Sequence, residues 1–109
     1  MTKKELTEIT EITDETLGLT FQLPNRPTVR QMLEYEGAVG LSAGSDMYLR
    51  FWRAAPRVIV PDSWKCKLVE LDTDLDDIHD PQAAEVIKYV ALVLVSHMAK
   101  VKSGALTKN

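Results

Sequence analysis

One run of small residues has the letters of a nucleophile site. Residues 40–44 read Gly-Leu-Ser-Ala-Gly, the G-x-S-x-G pattern that exposes a reactive serine in α/β-hydrolases, and His97 follows later in the chain. That turn requires a strand before the serine and a helix after it, at the edge of a large sheet. Here the preceding residues have a helical pattern, so we interpret residues 40–44 as a loop between helices. We predict no catalytic residue and expect a protein that is not an enzyme.

An acidic segment over residues 72–80 could bind a metal ion, because its aspartates alternate as in a calcium loop. An EF-hand loop needs glycine at position 6 and glutamate at position 12, where this chain has Asp77 and Ala83. Zinc sites need paired cysteines or histidines, which the spacing does not provide. We predict no metal and no cofactor, although clustered carboxylates leave a weak divalent-ion site open. We interpret Cys66 as a small buried side chain and His97 as a polar helix-edge residue.

Three arginines recur near a tryptophan at helical spacing: Arg50, Arg53 and Arg57, with Trp52 beside them. A nucleic-acid-binding surface is normally accompanied by excess basic charge, but here 16 acidic residues outnumber 13 basic ones. Pro56 also separates Arg57 from the helix that contains the others. We predict that Arg50, Trp52, Arg53 and Arg57 bind a protein partner. A nucleic-acid-binding regulator is the alternative that this cluster leaves open.

These residues must be positioned by short elements, which the hydropathy pattern locates. Residues 1–16 have a three-residue repeat that fits neither a strand nor a helix, and we expect a mobile N-terminal arm that could order against a partner. Residues 17–23 alternate apolar and polar side chains, which predicts a half-buried strand ending at a turn over 24–27. Residues 57–60 and 64–68 are each interpreted as a brief strand or an extended segment on the core.

Two helices are predicted in the middle of the chain. The first begins at a capping box formed by Thr28 and Gln31. The second begins with Ser45 as its N-cap and ends before Pro56, because the residue before a proline disfavours helical geometry. The expected inner face of the first helix comprises Val29, Met32, Leu33 and Val39.

The third predicted helix is the longest element. Asp80 is its expected N-cap, with Pro81 in the first turn, and it should run to about Lys102, with Gly104 near the C-cap. Residues 89–95 are apolar without interruption, so they lie on every side of this helix. We therefore expect the helix to be the buried centre of the fold or of an oligomer.

Length and composition indicate a single small domain. With 109 residues, of which 45% are hydrophobic, the chain can form one core, expected over 17–103, followed by a flexible tail over 104–109. The predicted fold is mainly α, with about three helices and a short N-terminal strand or hairpin, and a small α+β fold is the second choice. No apolar run approaches the length of a membrane span, and the single cysteine suits a reducing cytoplasm.

The order of several short motifs resembles that of small proteins encoded among the tail genes of long-tailed bacteriophages and prophages. The similarity is greatest to the tail assembly chaperones and covers roughly residues 17–102. The motifs are Leu-Pro-Asn-Arg-Pro-Thr-Val-Arg-Gln over 23–31, Leu-Arg-Phe-Trp-Arg-Ala-Ala over 49–55, Trp-Lys-Cys over 64–66, Asp-Leu-Asp over 74–76, and Asp-Pro at 80–81 opening an apolar helix.

The resemblance implies a mostly helical, non-enzymatic protein that is made in the host cytoplasm and is absent from the finished virion. Chaperones of this family bind the tape-measure protein, prevent its aggregation and recruit tail-tube subunits around it. We therefore expect protein partners, either the tape-measure or the tail-tube protein, and a homo-oligomer stays open. The alternatives are a structural tail or neck subunit and a small nucleic-acid-binding regulator.

Overall fold

The computed structural model describes residues 8–41, 46–71 and 73–104. In this part the chain forms a small α+β fold with three α-helices and a three-stranded antiparallel sheet. The expectation of a mainly helical fold is therefore correct only in part, because the sheet is larger than predicted. The elements in chain order are β1 (Ile9–Asp14), β2 (Leu19–Pro24), α1 (Val29–Leu41), α2 (Met47–Ala54), β3 (Lys65–Cys66) and α3 (Pro81–Ser103), with short 3₁₀ turns at Ala55–Arg57 and Leu75–Asp77.

The N-terminal region differs most from its prediction. Residues 9–14, expected to belong to a mobile arm over 1–16, form β1, which pairs antiparallel with β2 along its whole length. The three-residue repeat places Ile9 and Ile12 on opposite faces of this strand, so the sequence lacks the one-sided apolar alternation that signals a strand. Pairing with β2 supplies the stabilisation that the local pattern does not indicate. Residues 1–7 of the predicted arm lie outside the described part of the chain.

A tight turn joins β1 to β2. The Asp14 carboxylate accepts a hydrogen bond from the backbone N–H of Leu17 at 3.0 Å, and the Gly18 N–H donates to the Glu15 carbonyl at 3.2 Å. Gly18 has a φ of 60°, a left-handed conformation that glycine adopts without a Cβ clash. The turn geometry therefore helps to fix the register of the hairpin.

The core lies against the inner face of β2. Leu19, Phe21 and Leu23 on that face are at most 1% exposed and belong to the same buried cluster as Val90 and Leu94 of α3. The strand predicted from the alternation of residues 17–23 is thus confirmed, with slightly later bounds. The sheet order β1-β2-β3 places β2 in the centre and leaves β1 at one edge.

Residues 57–60 and 64–68, each interpreted from the sequence as a brief strand or an extended segment, have different structures. Val60 donates its backbone N–H to the Gln22 carbonyl at 2.9 Å, but residues 58–60 are not part of a strand. This segment covers the core with Val58 and Ile59, which are at most 5% exposed. The later segment contains β3, which forms a short ladder with the start of β2.

The starts of α1 and α2 are set by local hydrogen bonds. Thr28 and Gln31 form the predicted capping box, with reciprocal bonds of 2.9 and 3.1 Å between each backbone N–H and the other side chain. The N-cap of α2 is Asp46 rather than the predicted Ser45, because the Asp46 carboxylate accepts an N–H of the first turn at 2.8 Å. Ser45 itself lies outside the described residues. The helix ends before Pro56, as predicted.

The helix α3 begins and ends as predicted, but it is not buried on all sides. Its N-cap is Asp80, and Gly104 caps its end in a left-handed conformation. Val90 and Leu94 are 0% exposed, whereas Leu92 is 53% and Val95 36% exposed. A helix on one face of a small sheet is covered along one side only, and this arrangement explains the difference. No helix in the described ranges is long and apolar enough to span a membrane.

Candidate functional site

The predicted arginine and tryptophan cluster does not form one surface. Trp52 is only 4% exposed, and its ring lies 5.7 Å from that of Trp64 in the aromatic core. The Arg50 Nε donates to the Val39 carbonyl at 3.4 Å, which ties this side chain to α1. Arg53 and Arg57 are exposed. Trp52 is therefore buried in the folded chain while Arg53 and Arg57 are exposed, and partner binding by these residues stays a prediction.

The geometry of α2 explains why Trp52 and Arg53 lie on different faces. α2 has only eight residues, and its apolar and basic side chains alternate at helical spacing. Such a helix presents arginines on its outer side and buries the aromatic ring between them, so sequence proximity to Arg53 does not place Trp52 on the same face.

His97 was interpreted as a polar edge residue, and this interpretation is wrong. Its ring is 6% exposed, and its Nε2 lies 2.7 Å from the carbonyl oxygen of Pro24 at the end of β2. A carbonyl oxygen only accepts hydrogen bonds, so the Nε2 holds a proton and donates it. His97 therefore links α3 to the sheet. The serine of the G-x-S-x-G pattern, Ser42, lies outside the described residues.

The acidic segment after β3 has a structural use. The Asp74 carboxylate accepts the Asp76 N–H at 3.0 Å and caps a 3₁₀ turn, and Asp80 accepts the Gln82 N–H at 2.9 Å at the start of α3. Within the described ranges, no group of three or more His, Cys, Asp or Glu side chains is placed to bind a metal ion. Cys66 is buried, as predicted.

In the part of the chain that the structure describes, a groove between β1 and α3 is a candidate binding site. Its volume is about 380 Å³, and it opens to the surface. Apolar and aromatic side chains line most of it, and hydrophilic groups lie among them. We call it the β1–α3 groove, and its lining residues are Thr10, Ile12, Tyr89, Leu92, Val93, Ser96, His97 and Lys100.

Two elements position the side chains of this groove. In β1, Thr10 and Ile12 point to the inner face of the sheet but are only partly buried. In α3, Tyr89, Leu92 and Ser96 recur at helical spacing along the wall of the groove. The inner-face side chains of β2 are fully buried, whereas those of the edge strand β1 are only partly buried.

The electrostatics of the groove are asymmetric. Glu8, Glu11 and Glu15 are exposed in or beside β1, while the Asp14 carboxylate is occupied by the hairpin turn. Lys100 contributes a positive charge on the opposite wall. The edge strand is therefore acidic next to an apolar cleft.

A second apolar surface lies on α1. The sequence predicted Val29 and Leu33 on the inner face with Met32, but they are 76% and 64% exposed. The inner face instead contains Tyr35, whose ring packs 6.2 Å from that of Phe51. Burial, together with the charge of the adjacent Glu36, raises the pKa of Tyr35 to about 12. The inner face is thus rotated toward the Met32 and Tyr35 positions.

Sequence reasoning missed the β1–α3 groove, although one signal for it was present. Residues 89–95 were recognised as apolar on every side, which requires two covering surfaces. In the described part of the structure only one side of α3 is covered, and Leu92 and Val95 on the other side stay exposed. The second wall could not be found, because β1 was not recognised as a strand.

Comparisons of the chain with protein-family models, with curated proteins and with solved structures found no significant match.

Proposed function

We propose that this chain is a non-enzymatic, tail assembly chaperone-like protein that acts in the host cytoplasm. In this proposal it binds the phage tape-measure protein through the β1–α3 groove and assists assembly of the tail tube around it. The main support is the groove itself, where Tyr89, Leu92 and Val93 form an apolar wall open to the surface. Exposed apolar clefts of this kind are typical of protein-binding sites.

The energetics of the groove suit reversible binding of a polypeptide. Burying apolar surface contributes about 25 cal/mol per Å² removed from water. Leu92 on the groove wall is 53% exposed, so its side chain still has surface to lose on binding. A groove of about 380 Å³ accommodates a few side chains, which favours a short apolar segment over a large rigid interface.

The polar side chains considered for catalysis have structural partners, which favours a binding role. His97 donates to a backbone carbonyl, Asp74 and Asp80 cap helical turns, and Cys66 is buried. A general base or nucleophile must instead reach a substrate within hydrogen-bonding distance. Within the described ranges, the residues singled out from the sequence therefore support a binding protein.

The proposal is tested by co-expressing the chain with the tape-measure protein from the same genome. We expect a complex that co-purifies and a larger soluble fraction of the tape-measure protein. Leu92→Asp should abolish both effects, because a carboxylate in the apolar wall has to be desolvated. Leu33→Asp is the matched control: it adds the same charge at an exposed leucine on α1, outside the groove.

Two results would contradict the proposal. One is a tape-measure protein that stays as insoluble with the chain as without it. The other is recovery of the chain in purified virions, which would identify a structural tail or neck subunit. Equal loss of binding in Leu92→Asp and Leu33→Asp would remove the groove as the site.

A further inference from the structure

The free edge of β1 presents backbone hydrogen-bonding groups in a defined order. The Asn25 N–H donates to the Glu8 carbonyl at 2.7 Å, which makes these two residues a hydrogen-bonded pair of the antiparallel ladder. Such pairs alternate along the strand, so every second residue of β1 faces away from β2. The outward-facing residues are Ile9, Glu11 and Thr13. In the described part of the chain, no other strand pairs with this edge.

The β1–α3 groove lies beneath this free edge. Thr10 and Ile12, which line the groove, are on the inner face of the edge strand, and the inner-face side chains of the neighbouring strand β2 are fully buried. The open side of the groove is therefore the side on which a further strand would pair. Alternate side chains of such a strand would point toward Tyr89 and Leu92 on α3.

The charge of the edge restricts which strand can pair there. Glu8, Glu11 and Glu15 are exposed, and the segment from residue 5 to residue 25 contains no lysine or arginine. Pairing β1 with β1 of a second copy would bring two sets of carboxylates together, which is unfavourable. A basic strand would place opposite charges across from Glu11 and avoid this repulsion.

We propose that the partner segment binds as a fourth strand at the free edge of β1, with apolar side chains in the β1–α3 groove and basic side chains beside Glu11. The partner segment that this edge would bind is a strand in which apolar residues alternate with lysine or arginine. This inference rests on the proposed function, since the tape-measure protein is taken as the source of that segment. Main-chain hydrogen bonds supply affinity in this mode, and the alternating pockets supply specificity.

Hydrogen exchange at individual amides tests the binding mode. In the free chain, the N–H groups of Ile9, Glu11 and Thr13 face solvent, whereas those of Thr10 and Ile12 are bonded to β2. The complex with the tape-measure protein should slow exchange at the first three amides by about tenfold or more, because each becomes hydrogen-bonded. A helical partner lying in the groove would leave them unchanged and would overturn the inference.

A proline substitution separates strand pairing from side-chain contact. Glu11→Pro removes an N–H that points away from β2, so the hairpin keeps its ladder, as prolines in edge strands do. We expect it to weaken binding by about tenfold or more, since one hydrogen bond is lost and the ring obstructs its neighbour. Glu11→Ala, the matched control, keeps the N–H and should cause a smaller loss that disappears at high salt. Equal losses would overturn strand pairing.

Failure of the inference can be distinguished from failure of the proposed function. A complex with the tape-measure protein that is unaffected by Glu11→Pro would leave the function intact and overturn the added strand. If no such complex forms, a short peptide of alternating valine and lysine is the probe, and protection of Ile9, Glu11 and Thr13 by it would support the strand site alone. Protection that grows with concentration of the free chain would assign the edge to a second copy and overturn the inference.

Discussion

The orientation of α3 predicts different effects for two leucines that lie two positions apart. Leu94 is 0% exposed in the core, and Leu92 is 53% exposed on the groove wall. Leu94→Ala should lower the free energy of unfolding by about 2–5 kcal/mol, through lost burial and the cavity that remains. At Leu92 about half of the removed surface already contacts water, so the loss should be about 1 kcal/mol or less.

Urea denaturation followed by helical circular dichroism measures this difference. Alanine and leucine have similar helix propensities, so the change in helix propensity contributes only a few tenths of a kcal/mol at either position. Equal m values for the variants and the parent would show that the transitions report the same unfolding. The free energies of unfolding of the two variants should then differ by at least about 1 kcal/mol, with Leu94→Ala the less stable.

Equal destabilisation by the two substitutions would refute this reasoning. It would mean that both faces of α3 are covered, as the uninterrupted apolar run over 89–95 suggested. If the loss in Leu92→Ala also depended on protein concentration, the cover would be a second copy of the chain. Either result would show that the wall of the β1–α3 groove is covered, and it would remove the main support for the proposed function.

Three further predictions test other parts of the fold. Trp52→Ala should lower the free energy of unfolding by about 3–5 kcal/mol in the same urea titration. Arg57→Ala, at an exposed position, should change it by about 0.5 kcal/mol at most. A Trp52→Ala variant as stable as the parent would contradict the burial of this ring. With the pKa of Tyr35 raised to about 12, the unfolded chain loses this proton first, so stability is fully present below the ordinary tyrosine pKa of 10.0 and falls between pH 10 and 12. Tyr35→Phe should flatten that fall in melts over this pH range, and an unchanged slope would contradict it. Gly104→Ala should cost about 1 kcal/mol, because φ is 79° at this C-cap, and an unchanged melting temperature would count against the cap.

Helix boundaries could be predicted because they depend on neighbouring residues. The capping box of Thr28 and Gln31 is completed by bonds between residues three positions apart. The Asp80 and Gly104 caps likewise require only their own helix. Capping interactions between residues that are close in sequence do not depend on the rest of the chain, so they can be predicted from the sequence and are found in the structure.

The sheet edge and the groove depend on residues that are distant in the chain. β1 is stabilised by a partner strand, and its own residues show no one-sided apolar alternation. The faces of α3 are distinguished only by what packs on them, since Leu92 and Leu94 are the same residue type. His97 was misread for a related reason, because its partner, the Pro24 carbonyl, is 73 positions away. These features follow from tertiary packing, which local periodicity does not encode.

The acidic edge of β1 disfavours pairing of this strand with copies of itself. An unpaired strand beside an exposed apolar wall is a site for aggregation unless something disfavours pairing with copies of itself. The exposed carboxylates of Glu8, Glu11 and Glu15 oppose such pairing, because every copy has the same charge there. They do not oppose a basic strand, so in the proposed binding mode the same charges would also favour a basic partner segment. In the proposed function, the segment that occupies the groove pairs with β1, and the other edge of β1 is already paired with β2.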